Sequence, residues 1–432
     1  MLRNLRRILL ITAGIILHLA ALSQKMVNSP YARFNLGLIE TRYNFRSAGM
    51  GGVSLALHDN SSVSWLNPAS YSSLDTNSFV FDFGADYGMA FLKNESNSHF
   101  SEDMNFDHMV ISLPITKGIG FSAGLTPYSN GYYYISRNID ENDPDYDPVA
   151  GSIIISHKGA GGFTKAFVGT GAELITGLSV GLNLNLIFGS VNRINEHYFE
   201  SDATLFNSRF EESLKMHGMS IGTGVQYKIR LNEKQYITPA LTYEFATSLK
   251  SDYRNIFLRF TNYSLPPYSP DTVTQESVAG GSVRLPFSFG AGLSYVVKDK
   301  FTAAAEFSKT DWDNASVYGS NGTLASTSSL RAGIEYTPDR FSIYNFLNRV
   351  DYRLGGHVTE NYLVLNGEQL KEFGITFGAG IPMARSWSKL NMYVDWTTRG
   401  GSLSNGLHRE NCFTIGLSLN LYDYWFLKAK YE

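Results

Sequence analysis

Apolar and polar residues alternate with a period of two along most of this chain, in stretches of roughly ten residues. Between Leu178 and Gly189, leucine and valine alternate with serine, glycine and asparagine, and the pattern returns at 220–227, 287–295 and 413–420. This period places the apolar side chains on one face of a β-strand. Roughly ten residues is also the length that a tilted strand needs to cross a bilayer. The pattern therefore predicts a transmembrane β-barrel.

We expect about fourteen strands, and the lengths of the connections support this count. The predicted strands are 78–92, 105–116, 119–128, 160–172, 176–190, 213–229, 236–250, 283–297, 300–312, 325–338, 342–359, 370–382, 388–399 and 409–421. Short connections alternate with longer ones, notably 129–159, 191–212 and 251–282. Outer-membrane barrels have short periplasmic turns and long outer loops. The strand count is even and the short connections follow the even-numbered strands, so we predict that both termini lie in the periplasm.

A soluble β-sandwich or propeller is the alternative explanation of repeated alternation. Such folds need a second set of large apolar residues for a packed layer, whereas here the face opposite the apolar one carries glycine, serine, asparagine and threonine. The fold class we predict is therefore all-β, a transmembrane antiparallel barrel of about 14 strands, with an N-terminal plug (hatch) in its lumen.

The segment 45–71 breaks the alternation and is the predicted plug. Glycine pairs allow positive φ and close backbone approach, and an Asn-Pro step fixes a turn. The residues that define the motif are Gly49, Gly51, Gly52, Asp59, Trp65, Asn67, Pro68 and Ala69. We divide the chain into a plug at 24–77, a barrel at 78–421 and a periplasmic tail at 422–432. A glycine-rich helix cap in a soluble enzyme is the alternative interpretation.

The first 23 residues have the pattern of a secretory signal peptide. A basic start, MLRNLRR, precedes an apolar stretch and the small residues Ala21 and Ser23. We expect the mature chain to begin near Gln24. The apolar stretch is short for a membrane-spanning helix.

Composition and motifs give no indication of catalysis or of nucleic-acid binding. The formal net charge is −3, with lysine and arginine scattered. Cys412 is the only cysteine, which excludes an internal disulfide and a multi-cysteine metal site. The acidic stretch 140–147 lacks the spacing of an EF-hand loop, and HExxH does not occur. No GxSxG elbow is present either, because that spacing falls only within predicted strands and the elbow needs a turn between a strand and a helix. We therefore expect no enzyme activity, no catalytic residue, no metal and no cofactor.

Aromatic residues near strand ends have two interpretations. Most fit interfacial girdles, namely Tyr87, Tyr128, Tyr243, Trp312, Trp387 and Trp396. Others fall in predicted outer loops and are candidates for capturing a hydrophobic ligand, namely Tyr132, Tyr133, Tyr134, Phe257, Tyr263 and Tyr268. By parity, Arg331, Glu335 and Asp395 face the lumen, where charges usually pair across the interior.

The plug motif resembles the N-terminal hatch of the FadL-like outer-membrane transport family, in the form found in Bacteroidetes. The resemblance rests on AGMGG, on Ala56 with Asp59, and on Trp65 followed by Asn67-Pro68-Ala69. It implies a fourteen-stranded barrel in the cell outer membrane that carries hydrophobic small molecules such as long-chain fatty acids. Membrane lipid and the ligand would be its partners. Some relatives are instead barrel subunits of the type IX secretion system, so a structural barrel that docks protein partners through its outer loops stays open.

Overall fold

The computed structural model describes residues 29–95, 97–200, 205–261, 270–317, 323–383 and 386–424. One antiparallel sheet closes on itself, because strand β2 pairs with β3 on one side and with β20 on the other. The predicted signal peptide and residues 425–432 of the predicted tail lie outside the described residues.

The strands are β1 (Leu38–Ile39), β2 (Ser78–Lys93), β3 (Ser98–Thr116), β4 (Ile119–Asn130), β5 (Tyr133–Ile139), β6 (Ile153–Ile175), β7 (Leu178–Phe199), β8 (Asn207–Tyr227), β9 (Ile229–Arg230), β10 (Gln235–Glu244), β11 (Thr247–Phe260), β12 (Asp271–Leu285), β13 (Ser288–Val297), β14 (Phe301–Thr310), β15 (Thr323–Leu324), β16 (Thr327–Tyr336), β17 (Asp351–Leu365), β18 (Glu368–Pro382), β19 (Lys389–Gly400) and β20 (Arg409–Tyr424). Several wall strands consist of two consecutive segments, such as β10 with β11 and β12 with β13. The wall therefore has 14 strands, and the predicted antiparallel barrel is confirmed.

Several strands extend further from the short turns than predicted. The structure places β5 and the start of β6 within 129–159, the end of β7 and the start of β8 within 191–212, and most of β11 and β12 within 251–282. Backbone pairing continues there although the apolar and polar alternation stops, because side chains beyond the bilayer need no apolar face. These three stretches are thus largely sheet, where we predicted loops.

The predicted strand 342–359 begins too early. Its strand, β17, starts at Asp351, and the preceding residues form an irregular loop that ends in the 3₁₀ helix Leu347–Arg349. The alternation of apolar residues in this loop therefore does not reflect pairing with a neighbouring strand.

The two faces of the wall separate as the alternation predicts. On β7, Leu182 is 47% exposed on the outer surface, whereas its neighbour Asn183 is 5% exposed and faces inward. Leu417 and Ser418 on β20 show the same contrast. None of the helices within the described ranges has the length and apolar character required to cross a membrane.

The largest apolar cluster fills the barrel on the side away from the short turns, and we call it the outer apolar layer. Its buried members include Tyr31, Leu36, Phe163, Ile187, Val191, Leu214, Met216, Leu249, Val283, Leu285, Trp312 and Tyr362. Trp312 is buried there and Tyr128 packs against it, so the girdle prediction is wrong for these two residues. Trp312 lies in the 3₁₀ helix Trp312–Asn314, and Tyr128 lies at a register shift between β4 and β6, so the alternation of a regular strand does not predict the face of either side chain. Tyr87, Tyr243, Trp387 and Trp396 are exposed outward.

Candidate functional site

Residues 29–77 lie inside the barrel and contact the wall on opposite sides. The short helix Phe45–Ala48 contacts β18, β19 and β20. The 3₁₀ helix Pro68–Ser73 contacts β4, β6, β7 and β8. We call residues 45–71 the lumen segment, because they extend from wall to wall.

A glycine turn forms the first anchor of the lumen segment. Gly51 and Gly52 adopt φ of +74° and +84°, which favour glycine. The Gly51 amide donates to the Thr376 hydroxyl at 2.7 Å. On the wall, a Cβ atom at Gly355 would collide with the backbone of Met50 and Gly51. Glycine is thus required on both sides of this contact.

The Asn-Pro turn forms the second anchor. Asn67 is completely buried; its Oδ1 accepts from the Ala69 amide at 3.1 Å, and its Nδ2 donates to the Leu55 carbonyl at 2.7 Å. Wall glycines again permit the approach, because a Cβ at Gly224 would collide with the Asn67 side chain and one at Gly181 with the Pro68 backbone.

Trp65 links Arg42, which precedes the lumen segment, to strand β7 of the wall. Its Nε1 donates to the Arg42 carbonyl at 3.1 Å, and its own carbonyl accepts from Asn183 Nδ2 at 2.8 Å. Tyr71 donates to Asn183 Oδ1 at 3.0 Å, so one inward asparagine of β7 satisfies two groups of the lumen segment. The ring centroid of Trp65 lies 4.9 Å from that of the buried His108.

Ion pairs also join the lumen segment to the wall. Arg46 pairs with Glu335 at 2.7 Å and also with Asp59, while Arg353 holds the other oxygen of Glu335 at 2.7 Å. Burial opposes ionisation of Asp59, yet the Arg46 guanidinium holds the pKa of that carboxyl below its usual range. Because each charge is paired and largely buried, removal of one partner would leave an uncompensated charge.

Of the three predicted inward charges, only Glu335 pairs with a residue of the lumen segment. Glu335 pairs with Arg46 of the lumen segment, and Arg331 lies 3.4 Å from Glu306 of the neighbouring strand. Asp395 instead accepts a hydrogen bond from Thr397 at 2.8 Å.

Two wall residues that hold the lumen segment were not predicted from sequence. Glu306 accepts from the backbone amides of Ser54 and Leu55 at 2.7 and 2.9 Å. Gln226 donates to the carbonyls of Leu55 and Leu57 at 2.8 and 3.2 Å. The sequence feature that could have identified them is a large polar residue at a strand position whose side chain faces the lumen.

Two cavities of about 250 Å³ each flank residues 39–42. Aromatic and aliphatic groups such as Tyr128, Ile187 and Trp312 line cavity A. The charged residues of its lining are Glu40, Arg42, Lys165, Glu244, Glu306 and Arg331. Cavity B is more acidic and includes Asp86, Asp103, Asp107, Glu372 and Asp395 in its lining.

The barrel wall is interrupted beside cavity B. Pairing between β3 and β4 extends from Met109 with Leu125 to Thr116 with Ile119, and further out, in the described residues, these strands no longer pair with each other. Instead β1 adds to the edge of β4, with Leu38 opposite Asn130 and Ile39 opposite Ser129. The N-terminal segment therefore occupies the edge of a gap in the wall.

Comparisons with known proteins agree with this architecture. A family model described as BamG matches residues 1–432. The chain belongs to the BamG family. No curated protein matches the sequence.

Solved structures of hydrocarbon transporters share the fold of this BamG-family chain. The Pseudomonas putida toluene transporter TodX is similar with 14% identity and a TM-score of 0.57, over 90% of this chain and 99% of that one. A Pseudomonas aeruginosa FadL homologue is similar with 11% identity and a TM-score of 0.57, over 90% of this chain and 100% of that one. The Ralstonia pickettii toluene transporter TbuX is similar with 12% identity and a TM-score of 0.55, over 88% of this chain and 98% of that one. The FadL-like fold is thus shown, and these neighbours are channels and not enzymes.

Of the six residues predicted to capture a ligand, the four that the structure describes are divided between β5 with the residue before it and β11. Tyr133 is buried with Ala32 and Leu38, whereas Tyr134 is exposed on the same strand. Tyr132 and Phe257 are partly exposed, on different parts of the wall. Tyr263 and Tyr268 lie outside the described residues. Within the described ranges, no group of three or more His, Cys, Asp or Glu could hold a metal ion.

Proposed function

We propose that this BamG-family protein is an outer-membrane channel for hydrophobic small molecules, with amphipathic carboxylates such as long-chain fatty acids as its ligand class. The observation that carries this proposal is the position of residues 39–42. They separate two cavities and lie at a gap in the barrel wall, so movement of one short segment would join the cavities and open a lateral path.

The lining of cavity A suits an amphipathic ligand. Its aromatic and aliphatic lining groups match an acyl chain or a small ring. Lys165 forms no ion pair among the described residues, and it shares the inward parity of the buried Phe163 and Phe167. A ligand carboxylate beside Lys165 would supply the missing counter-ion.

A disulfide that fixes β1 to the edge of β4 tests the proposal. Ile39 and Ser129 lie directly opposite in an antiparallel pair, where a disulfide fits. On a Cys412→Ser background, Ile39→Cys with Ser129→Cys should block uptake of a radiolabelled fatty acid when oxidised, and a reductant should restore it. The control is Ser112→Cys with Ser122→Cys, a pair already joined within the wall. Unchanged uptake in the oxidised Ile39 pair would contradict the proposal.

A second candidate is a structural or secretion-associated barrel that docks protein partners. The dense anchoring of the lumen segment and the buried outer apolar layer favour it, because both oppose conduction. Under this alternative the oxidised Ile39 pair would retain full function in cells, and purified protein would carry partner subunits and no lipid ligand.

A further inference from the structure

The loop between β16 and β17 exposes an unusual set of apolar side chains. Ile343 is 88% and Tyr344 is 100% exposed, and Phe341, Phe346 and Leu347 are exposed as well. Isolated exposed apolar residues are common, but five within seven positions indicate a contact surface. We call residues 337–350 the rim loop.

The rim loop lies against the outer face of the barrel at the end that carries the short turns. The Tyr352 hydroxyl donates to the Leu347 carbonyl at 3.1 Å. Tyr352 and Leu354 are exposed on the outer face of β17, whereas Asp351 and Arg353 between and beside them are buried inward. The loop therefore continues the apolar outer surface of the wall at its edge.

A groove of about 200 Å³ beside the rim loop combines cations with apolar groups. Arg340, Arg349 and Lys389 line it together with Phe341, Met383 and Trp387. Asp351 is the only carboxylate in this lining, and it is already held by Lys389 at 2.6 Å. Arg349 has no ion pair among the described residues, and its buried Nε has no hydrogen-bond partner. The groove thus has an uncompensated positive charge.

We propose that the rim loop and its groove bind a phospholipid of the adjacent leaflet. The exposed apolar side chains enter the boundary between headgroups and acyl chains, where tyrosine and phenylalanine are favoured. Arg349, with Arg340 and Lys389, binds the headgroup phosphate, which supplies the acceptor that Arg349 lacks. Continuity with the lipid-facing wall favours lipid over a protein partner.

Spin labels test the position of the loop. On a Cys412→Ser background, nitroxides at Ile343→Cys and Tyr344→Cys in proteoliposomes should be more accessible to oxygen than to a polar nickel reagent. The matched control is Val149→Cys, which is 85% exposed in the connection between β5 and β6. There the nitroxide should be more accessible to the nickel reagent than to oxygen. Preferential nickel access at 343 and 344 would overturn the proposal and favour a protein partner.

Lipid retention tests the groove separately. Native mass spectrometry of protein from vesicles that contain phosphatidylglycerol should show retained lipid, and Arg349→Gln should reduce that retention several-fold. Arg137→Gln is the control, an exposed arginine held by two aspartates away from the rim loop. Equal retention in all three proteins would overturn the headgroup site, even if the loop proves to contact lipid.

Discussion

At the residue scale, the wall glycines determine how closely the lumen segment can approach. Gly224 and Gly222 lie two positions apart on β8 and face the same way, but only at Gly224 would a Cβ collide with Asn67. At Gly222 the nearest atom would be 3.7 Å away, an ordinary contact. The two positions therefore form a matched pair.

We expect Gly224→Ala to destabilise docking of the lumen segment by about 1–3 kcal/mol, the usual cost of overpacking. Gly222→Ala should have little effect. Hydrogen exchange of residues 64–70, measured by mass spectrometry, checks this difference. Equal protection in both variants would mean that the anchor does not depend on close backbone approach.

The two faces of a strand give a second matched pair. Val358 is exposed on the outer face of β17, whereas Thr359 lines both cavities. Val358→Arg should cost roughly 2–4 kcal/mol, because the charge would face hydrocarbon, while Thr359→Arg should cost less. Urea-dependent refolding into liposomes measures both values. Similar costs would contradict the assignment of the lipid-facing side.

His58 makes the anchoring of the lumen segment dependent on pH. Burial, and next the nearby Lys228, lower the pKa of His58 from 6.5 to about 4. Because the pKa is lowered in the docked state, neutral His58 contributes fully to the stability of docking above pH 6.5. This contribution is lost as the pH falls towards about 4. Its Nδ1 lies 3.2 Å from the Gln226 side-chain oxygen.

We therefore expect protection of residues 55–60 from hydrogen exchange, corrected for intrinsic rates, to decrease between pH 6.5 and about 4. His58→Gln should remove most of this dependence, because a glutamine does not titrate. If wild type and variant lose protection equally, other groups such as Asp59 are responsible.

At the element scale, the lumen segment is the stretch that we predicted to act as a plug, and its sealing role is testable. A barrel of about fourteen strands leaves a lumen that wall side chains alone do not fill. Deletion of residues 45–71 should leave a barrel that inserts but conducts ions in planar bilayers and admits large polar antibiotics. Asn67→Ala with Pro68→Ala should give a weaker leak, because it removes only the second anchor.

A deletion of residues 141–149, in the acidic stretch after β5, is the control and should not change conductance. If the barrel without residues 45–71 assembles and remains as tight as wild type, then the outer apolar layer forms the seal.

At the scale of the whole molecule, the alternation of connection lengths predicts the orientation in the membrane. Cysteine probes at Val149, or elsewhere in 129–159 and 251–282, should react with an impermeant reagent on intact cells. Probes at Asp299, in the short turn between β13 and β14, and at Asp339, in the rim loop, should not react. All probes are placed on a Cys412→Ser background. The opposite labelling would reverse the orientation.

The sequence alone determined the architecture of the wall. Alternation such as that of Leu182 with Asn183 specifies strands and their lipid-facing side, because strand periodicity is local and the bilayer imposes an apolar face. The glycine and Asn-Pro motif also marked the segment that departs from the wall. These features depend on neighbouring residues in the chain, so they can be read without coordinates.

Only the tertiary structure decided what that segment contacts. Gly224 and Asn67, or Glu306 and Leu55, are far apart in the chain and meet because the barrel closes. The same closure brings Leu38 and Ile39 to the gap beside β4 and buries Trp312, which the sequence placed at a membrane interface. Alternation specifies the face on which a side chain lies but not its partner across a lumen, because that partner depends on strand register and shear around the whole barrel.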